Sequence, residues 1–234
     1  MSKPLPILLS VPHAGHAIPD EVTAINLLNK NQIIKDGDEG AQEIYFPLKS
    51  EVKHFINSDI ARAFIDLNRA ENDIRKDGVV KTHTCWDEGI YSNHLSENLT
   101  QELLTKYYHP YHTKLSKLAN QDVILAIDCH TMAEYGPPIS PDKGVKRPLI
   151  CLGDLNGKSC PNEWIKTLYA CFCETFDNDV VLNKPFAGGF VTQYHHQEMP
   201  WVQLEISRSG CFSNKEKSIK VIEAITKWYR KIKG

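Results

Sequence analysis

Val123-Ile124-Leu125-Ala126-Ile127-Asp128-Cys129-His130 opens with an unbroken apolar run and closes on two ionisable side chains. A short apolar run of this kind reads as a strand buried on both faces, as in a sheet covered by helices on either side. Ionisable groups at the end of such a strand are unfavourable unless they bind or react with something. In open α/β sheets, ligands sit beyond the carboxyl ends of the strands. Asp128 and His130 are therefore expected to face a site.

Other stretches repeat the pattern outward from this one. Residues 6–11 (PILLSV) read as the first strand, with His13 and His16 immediately after it. Residues 61–67 alternate as a strand does and lead into Asp66-Leu67-Asn68-Arg69, with Arg62 and Arg69 placed on that strand. Residues 201–206 alternate too, and set Glu205 among apolar neighbours. Shorter strands are expected at 54–56, 149–152 and 180–182. Helical rhythm marks 20–28, 42–48, 96–119, 162–176 and 215–232, with Asp38 at the N-terminus of the second of these and, in the third, a kink or a meeting of two helices at Pro110. Residues 72–91 read as loop, 137–148 as an irregular flap, 195–196 as a turn. Gly188-Gly189 form a loop that permits close backbone approach or positive φ. Strand–helix alternation without linker or repeat predicts one α/β domain over 1–234, with a mixed, mostly parallel central sheet flanked by helices.

The chain has 234 residues, 41% of them apolar, enough for a full core. A net charge of −2 offers no electrostatic reason for a nucleic-acid or membrane partner. No apolar run approaches the roughly 20 residues of a membrane span, and the N-terminus lacks signal-peptide form. Seven scattered cysteines argue against a disulfide framework and for a cytoplasmic location. Neither a Gly-x-Ser-x-Gly elbow nor a phosphate-binding glycine loop is present.

His13, Asp38 and His130 offer two imidazoles and a carboxylate, a donor set known from catalytic zinc sites. No two of them lie within four residues, so spacing alone also allows ordinary hydrogen-bonding roles. Glu205 is the candidate general base, with a buried ion pair as its other reading. Arg62 and Arg69 could clamp a substrate carboxylate or form structural salt bridges. Of the remaining histidines, His112 stands out because the expected kink at Pro110 could turn it inward.

Together, Val11-Pro12-His13-Ala14-Gly15, Asp38-Glu39-Gly40-Ala41, Arg62 with Asp66-Leu67-Asn68-Arg69, Pro110-Tyr111-His112, Asp128-Cys129-His130, Pro185-Phe186-Ala187-Gly188-Gly189 and Gln203-Leu204-Glu205 resemble the N-formylglutamate amidohydrolase family. That family is similar in turn to the zinc carboxypeptidases and aspartoacylases. The resemblance implies one Zn²⁺, or another divalent ion, on His13 and His130. It implies Asn68-Arg69 as a carboxylate anchor, Glu205 as base and Asp128 as an orienting neighbour. The third ligand of aspartoacylase-like enzymes is a Glu three residues after the first His. That position is His16 here, so Asp38 is taken as the substitute and His16 as the alternative. The implied activity is hydrolysis of a small N-acyl group, formyl for example, from an amino acid such as glutamate. A related deacylase or carboxypeptidase, and a non-catalytic ligand-binding protein, are the competing readings. Glu205→Gln separates them, since only a hydrolase loses turnover.

Overall fold

Strands β1 (Leu5–Val11), β2 (Val52–Asn57), β3 (Leu125–Met132), β4 (Ile150–Gly153), β5 (Val180–Leu182) and β6 (Trp201–Ser207) form one sheet in the order β2-β1-β3-β6-β4-β5. The structure is a computed structural model that describes residues 3–119, 122–138 and 140–234. The first four strands in this order run parallel. β4 pairs antiparallel with β6 and parallel with β5, so the last two strands are reversed. The sheet is thus mixed and mostly parallel, as the alternation of elements implies.

β3 is buried at every position. It does not stop at Asp128: its ladder with β6 continues through His130↔Glu205 to Met132↔Ser207. Because side chains alternate along a strand, Ser10, Asp128, His130, Gln203 and Glu205 share one face. Helices α3 (Glu97–Leu103), α4 (His109–Leu118) and α6 (Phe190–His195) cover that face, packing Leu103, Leu115 and Val191 with Leu8, Ala126 and Trp201. Helices α2 (Ala41–Tyr45), α5 (Asn162–Thr175) and α7 (Asn214–Lys233) cover the other, where Ile44, Leu168 and Ala224 meet Leu9, Ile127 and Leu204.

Several expectations need correction. Residues 61–67 are not a strand but turns with isolated bridges, so Arg62 and Arg69 do not share one. Ala61, Ala63, Phe64, Ile65 and Leu67 are all buried, so both parities face the core and the alternation has no solvent side. The long helix continues through residues 97–118, and the irregularity expected at Pro110 is a π-helical segment, Leu104–Tyr108, just before it. His195 ends a helix, fully buried, instead of marking a turn. An unexpected helix, α1 (Lys30–Asp36), starts at a reciprocal Asn29/Gln32 capping box. Ile139, part of the expected flap, lies outside the described residues. Among the described residues no helix is long and apolar enough to cross a membrane.

Candidate functional site

His13 leaves the end of β1, Asp38 sits on the loop between α1 and α2, and His130 lies within β3. The backbone locks the loop in place: Asp38 N–H donates to His13 O at 3.2 Å, and Thr131 N–H donates to Asp38 Oδ2 at 3.2 Å. Asp38 does not cap α2, whose N-cap is Gly40 at φ 84°. Its carboxylate turns to the histidines instead.

All three side chains are buried, and the ligand atoms they offer lie within 4.8 Å of one another. Asp38 Oδ2 stands 2.9 Å from His130 Nδ1 and 3.6 Å from His13 Nδ1. Atoms bonded at about 2.0–2.2 Å to one tetrahedral ion stand about 3.4 Å apart, so the spacing suits a shared cation. The far nitrogens agree with this. His13 Nε2 lies 2.9 Å from Asp66 Oδ1, and His130 Nε2 lies 3.0 Å from Asp128 Oδ2. A carboxylate on the far nitrogen is what fixes the tautomer of a metal-binding imidazole. The residues present therefore fit a divalent ion. His16 is exposed and lies outside the cluster.

Without an ion, protons must answer the same negative charge. Burial alone would lower the His130 pKa, but Asp128 and then Asp38 raise it well above its ordinary value. Burial would raise Asp38, yet His13 and His130 hold it well below the usual carboxylate range. The site favours positive charge at its centre in either case.

Glu205 lies beside His130 in the sheet register. Burial, with Asp38 and Asp128 adding to it and His130 and Arg147 opposing, pushes its pKa up to about 7. Gln203, two residues earlier on the same strand face, donates from Nε2 to Glu205 Oε1 at 2.8 Å. The Gly189 N–H donates to Gln203 Oε1 and so fixes the orientation of that amide. Gly189 also meets Asn68 closely: a Cβ there would stand 2.1 Å from Asn68 Nδ2. Gly188, at φ 138°, makes the bend. Asn68 spans the site, with Oδ1 accepting from Val191 N–H at 2.7 Å and Nδ2 lying 3.2 Å from His130 Nε2.

The two arginines differ. Arg62 donates from Nε to Asp66 Oδ2 at 2.9 Å and from Nη1 to Asp36 O at 2.8 Å. It therefore stands behind Asp66. Arg69, its side chain 32% exposed, reaches Asp77 Oδ2 at 3.3 Å and Asp66 Oδ2 at 3.7 Å. His112 does not enter the cluster. It donates from Nε2 to Leu67 O at 3.1 Å, and its Nδ1 faces His195 Nε2 at 2.9 Å. Burial, then His195, lowers its pKa to about 3, so it is neutral. It also lines a cavity of about 1050 Å³ with Tyr108, Phe190 and Tyr194, and none of His13, Asp38, His130 or Glu205 borders that cavity.

Asp128 apart, sequence reading missed the parts that work through others. Asp66 was visible in its polar run, but its hold on His13 spans 53 positions. Arg208, just after β6, donates from Nε to Thr131 Oγ1 at 3.1 Å and stands 3.9 Å from Asp38 Oδ1. Its distance in sequence from Asp38 gave no cue. Gln203 had one, the period-2 spacing to Glu205.

A family model described as N-formylglutamate amidohydrolase matches residues 5–211. The chain is 26% identical over 220 residues to the N-formylglutamate deformylase of Pseudomonas putida, covering 88% of this chain and 81% of that protein. Its fold is similar to that of N-formylglutamate amidohydrolase from Ralstonia eutropha JMP134. The TM-score is 0.79 at 17% identity, covering 100% of this chain and 96% of the other. A gene product of Agrobacterium tumefaciens superposes with a TM-score of 0.73 at 17% identity, over 96% of this chain and 88% of the other. At such identities the two structures speak to the fold alone.

Proposed function

This chain belongs to the N-formylglutamate amidohydrolase family, and from that membership we propose that it hydrolyses the amide bond of a small N-acyl amino acid, N-formylglutamate foremost. One divalent cation, held by His13, Asp38 and His130, would serve the reaction; a set of two imidazoles and one carboxylate points to zinc. The observation that carries this reading is the buried His–Asp–His convergence, with a carboxylate on the far nitrogen of each ring. When bound, such an ion supplies Lewis acidity, polarising a carbonyl and acidifying water.

The chain's own residues do the rest. Glu205, with a pKa near neutrality, takes a proton from water and delivers it to the leaving nitrogen. Gln203 and Gly189 hold its carboxylate in one orientation. Asn68 and the partly exposed Arg69 anchor the substrate's carboxylate, so that binding energy away from the amide places the amide itself. Arg62 holds Asp66 and does not meet substrate. Asp128 orients His130. Seven free cysteines support a reducing, cytoplasmic setting.

The test is metal content of the purified protein beside His130→Ala, followed by formate release from N-formylglutamate. Near one equivalent of zinc in the wild type, little in the variant, and release of formate are expected. A wild type that neither carries nor takes up a divalent ion overturns the proposal. A zinc protein inert on N-formylglutamate but active on another N-acyl amino acid keeps the chemistry and changes the substrate.

A further inference from the structure

Asp128 is fully buried in mid-sheet, and its second oxygen does not face a charge. Ser10, on β1 and in register with Asp128, donates from Oγ to Asp128 Oδ1 at 3.3 Å. Tyr111, on α4, brings its hydroxyl within 2.8 Å of Ser10 Oγ. Ser10 is 0% exposed, Asp128 0% and Tyr111 6%. The direction of these bonds follows from the inventory of protons. An ionised carboxylate only accepts, and Ser10 has one hydroxyl proton, already directed at Asp128. Tyr111 must therefore donate to Ser10. The chain Tyr111 → Ser10 → Asp128 leaves Asp128 Oδ2 with no hydrogen-bond partner among the described residues and 3.0 Å from His130 Nε2, within reach of a proton on that nitrogen when Nδ1 binds an ion. The lone pair of Nδ1 is then left on the side of Asp38.

We propose that Ser10 and Tyr111 are positioning residues for metal binding, acting through Asp128 to hold His130 in the Nε2–H tautomer and in its observed orientation. The proposal rests on the metal reading of the site given above. Neither residue touches the cluster. Tyr111 ties that tautomer to the helix packed on the sheet, and Ser10 ties it to the neighbouring strand. Removing the Ser10 hydroxyl leaves a buried carboxylate oxygen without its donor, and the carboxylate becomes free to turn away from the ring. Removing only the Tyr111 hydroxyl leaves the Ser10–Asp128 bond in place but frees the serine to rotate.

The experiment measures zinc affinity by competition with a chromophoric chelator. It uses the full chain as wild type, Ser10→Ala, Ser10→Thr and Tyr111→Phe, together with the visible spectrum of each cobalt-loaded protein and the melting temperature of each metal-free one. Ser10→Ala is expected to bind zinc on the order of 10-fold more weakly, Tyr111→Phe a few-fold more weakly, and Ser10→Thr close to wild type. The cobalt bands should shift in Ser10→Ala and return in Ser10→Thr. A wild type that binds zinc, with all variants binding it equally, overturns the proposal and leaves the metal reading standing. A wild type that takes up no zinc removes the metal reading, and this inference with it. Should Ser10→Ala fail to fold, Tyr111→Phe decides, because it deletes one oxygen and keeps the ring. A lowered melting temperature with unchanged zinc affinity in that variant assigns Tyr111 to packing alone and overturns the proposal.

Discussion

His13 and His130 each turn one ring nitrogen toward Asp38 and the other toward an aspartate, but the surroundings of the two aspartates are opposite in kind. Asp66, behind His13, is surrounded by charge. Arg62 pairs with it at 2.9 Å and Arg69 at 3.7 Å. Arg62 also bonds the backbone of Asp36, whose side chain meets the fully buried Lys81 at 2.6 Å. Asp128, behind His130, has neutral hydroxyls beyond it among the described residues, Ser10 and then Tyr111. Position in the fold explains the contrast. Asp66 lies on a turn-rich segment where arginines can run out toward solvent. Asp128 lies between two strands and under α4, where another charge would have no water to reach. One histidine is thus oriented by a balanced ion network and the other by a chain of directed hydrogen bonds.

The largest test of that contrast is Asp66→Asn. It leaves the half-buried Arg62 guanidinium without its buried carboxylate partner, a loss on the order of 3 kcal/mol. Zinc affinity should change far less. Asn68 N–H donates to Asp66 Oδ1 at 2.9 Å, so the amide oxygen is held on the side facing His13 and the tautomer survives. Chemical denaturation and zinc titration of the same preparation read the two effects separately. A stable variant that has lost zinc would reverse the roles assigned to the two sides.

Asp128→Asn should do the opposite, with a smaller free-energy change. Ser10 still donates to the oxygen, which turns the amide NH₂ toward His130 Nε2. That nitrogen must then accept, and the proton moves to Nδ1, where the ion would bind. Zinc affinity is expected to fall about 10- to 100-fold, about 1.4 to 2.7 kcal/mol, with little loss of stability. An equal loss of zinc in Asp66→Asn and Asp128→Asn would show that the hydrogen-bond chain adds no direction of its own.

These distinctions lay beyond the sequence for a physical reason. Buried strands announce themselves locally, so residues 6–11, 123–130 and 201–206 were legible, and so were the long amphipathic helices. The flaw at 61–67 was local too: alternation signals a strand only when one parity is solvated, and here both are buried. Candidate ligands were legible as residue types at strand ends, but not as a set. Asp38 and His130 are 92 positions apart, and Ser10 and Asp128 are 118 apart. No periodicity carries such pairings. The family resemblance joined His13, His130 and Glu205 and set Asp128 beside them, whereas the hold of Asp66 on His13 and the hydroxyls of Ser10 and Tyr111 behind Asp128 became visible only with the fold.

The smallest expected effect is a pH slope in the metal-free protein. The His130 pKa is raised in the fold, so its contribution to stability is complete below the unfolded value near 6.5 and is lost as pH rises through the folded value. Asp66 is held well below the carboxylate range, burial being outweighed by Arg62 and then His13. Its contribution is present above about 3.9 and is lost only as pH falls through the depressed folded value. Glu205, raised to about 7, adds a decline of its own between its unfolded value and neutrality, so the informative range begins above pH 7. There the chelated wild type should lose stability faster than His130→Asn, while Asp66→Asn, though weaker throughout, should run parallel to wild type. Loading with zinc should remove the difference in slope, because Nδ1 then carries no proton to lose. A chelated wild type that parallels His130→Asn from pH 7 to 10 would mean that His130 carries no extra proton in the metal-free fold. The two sides of the site would then be alike in how they answer the charge of Asp38.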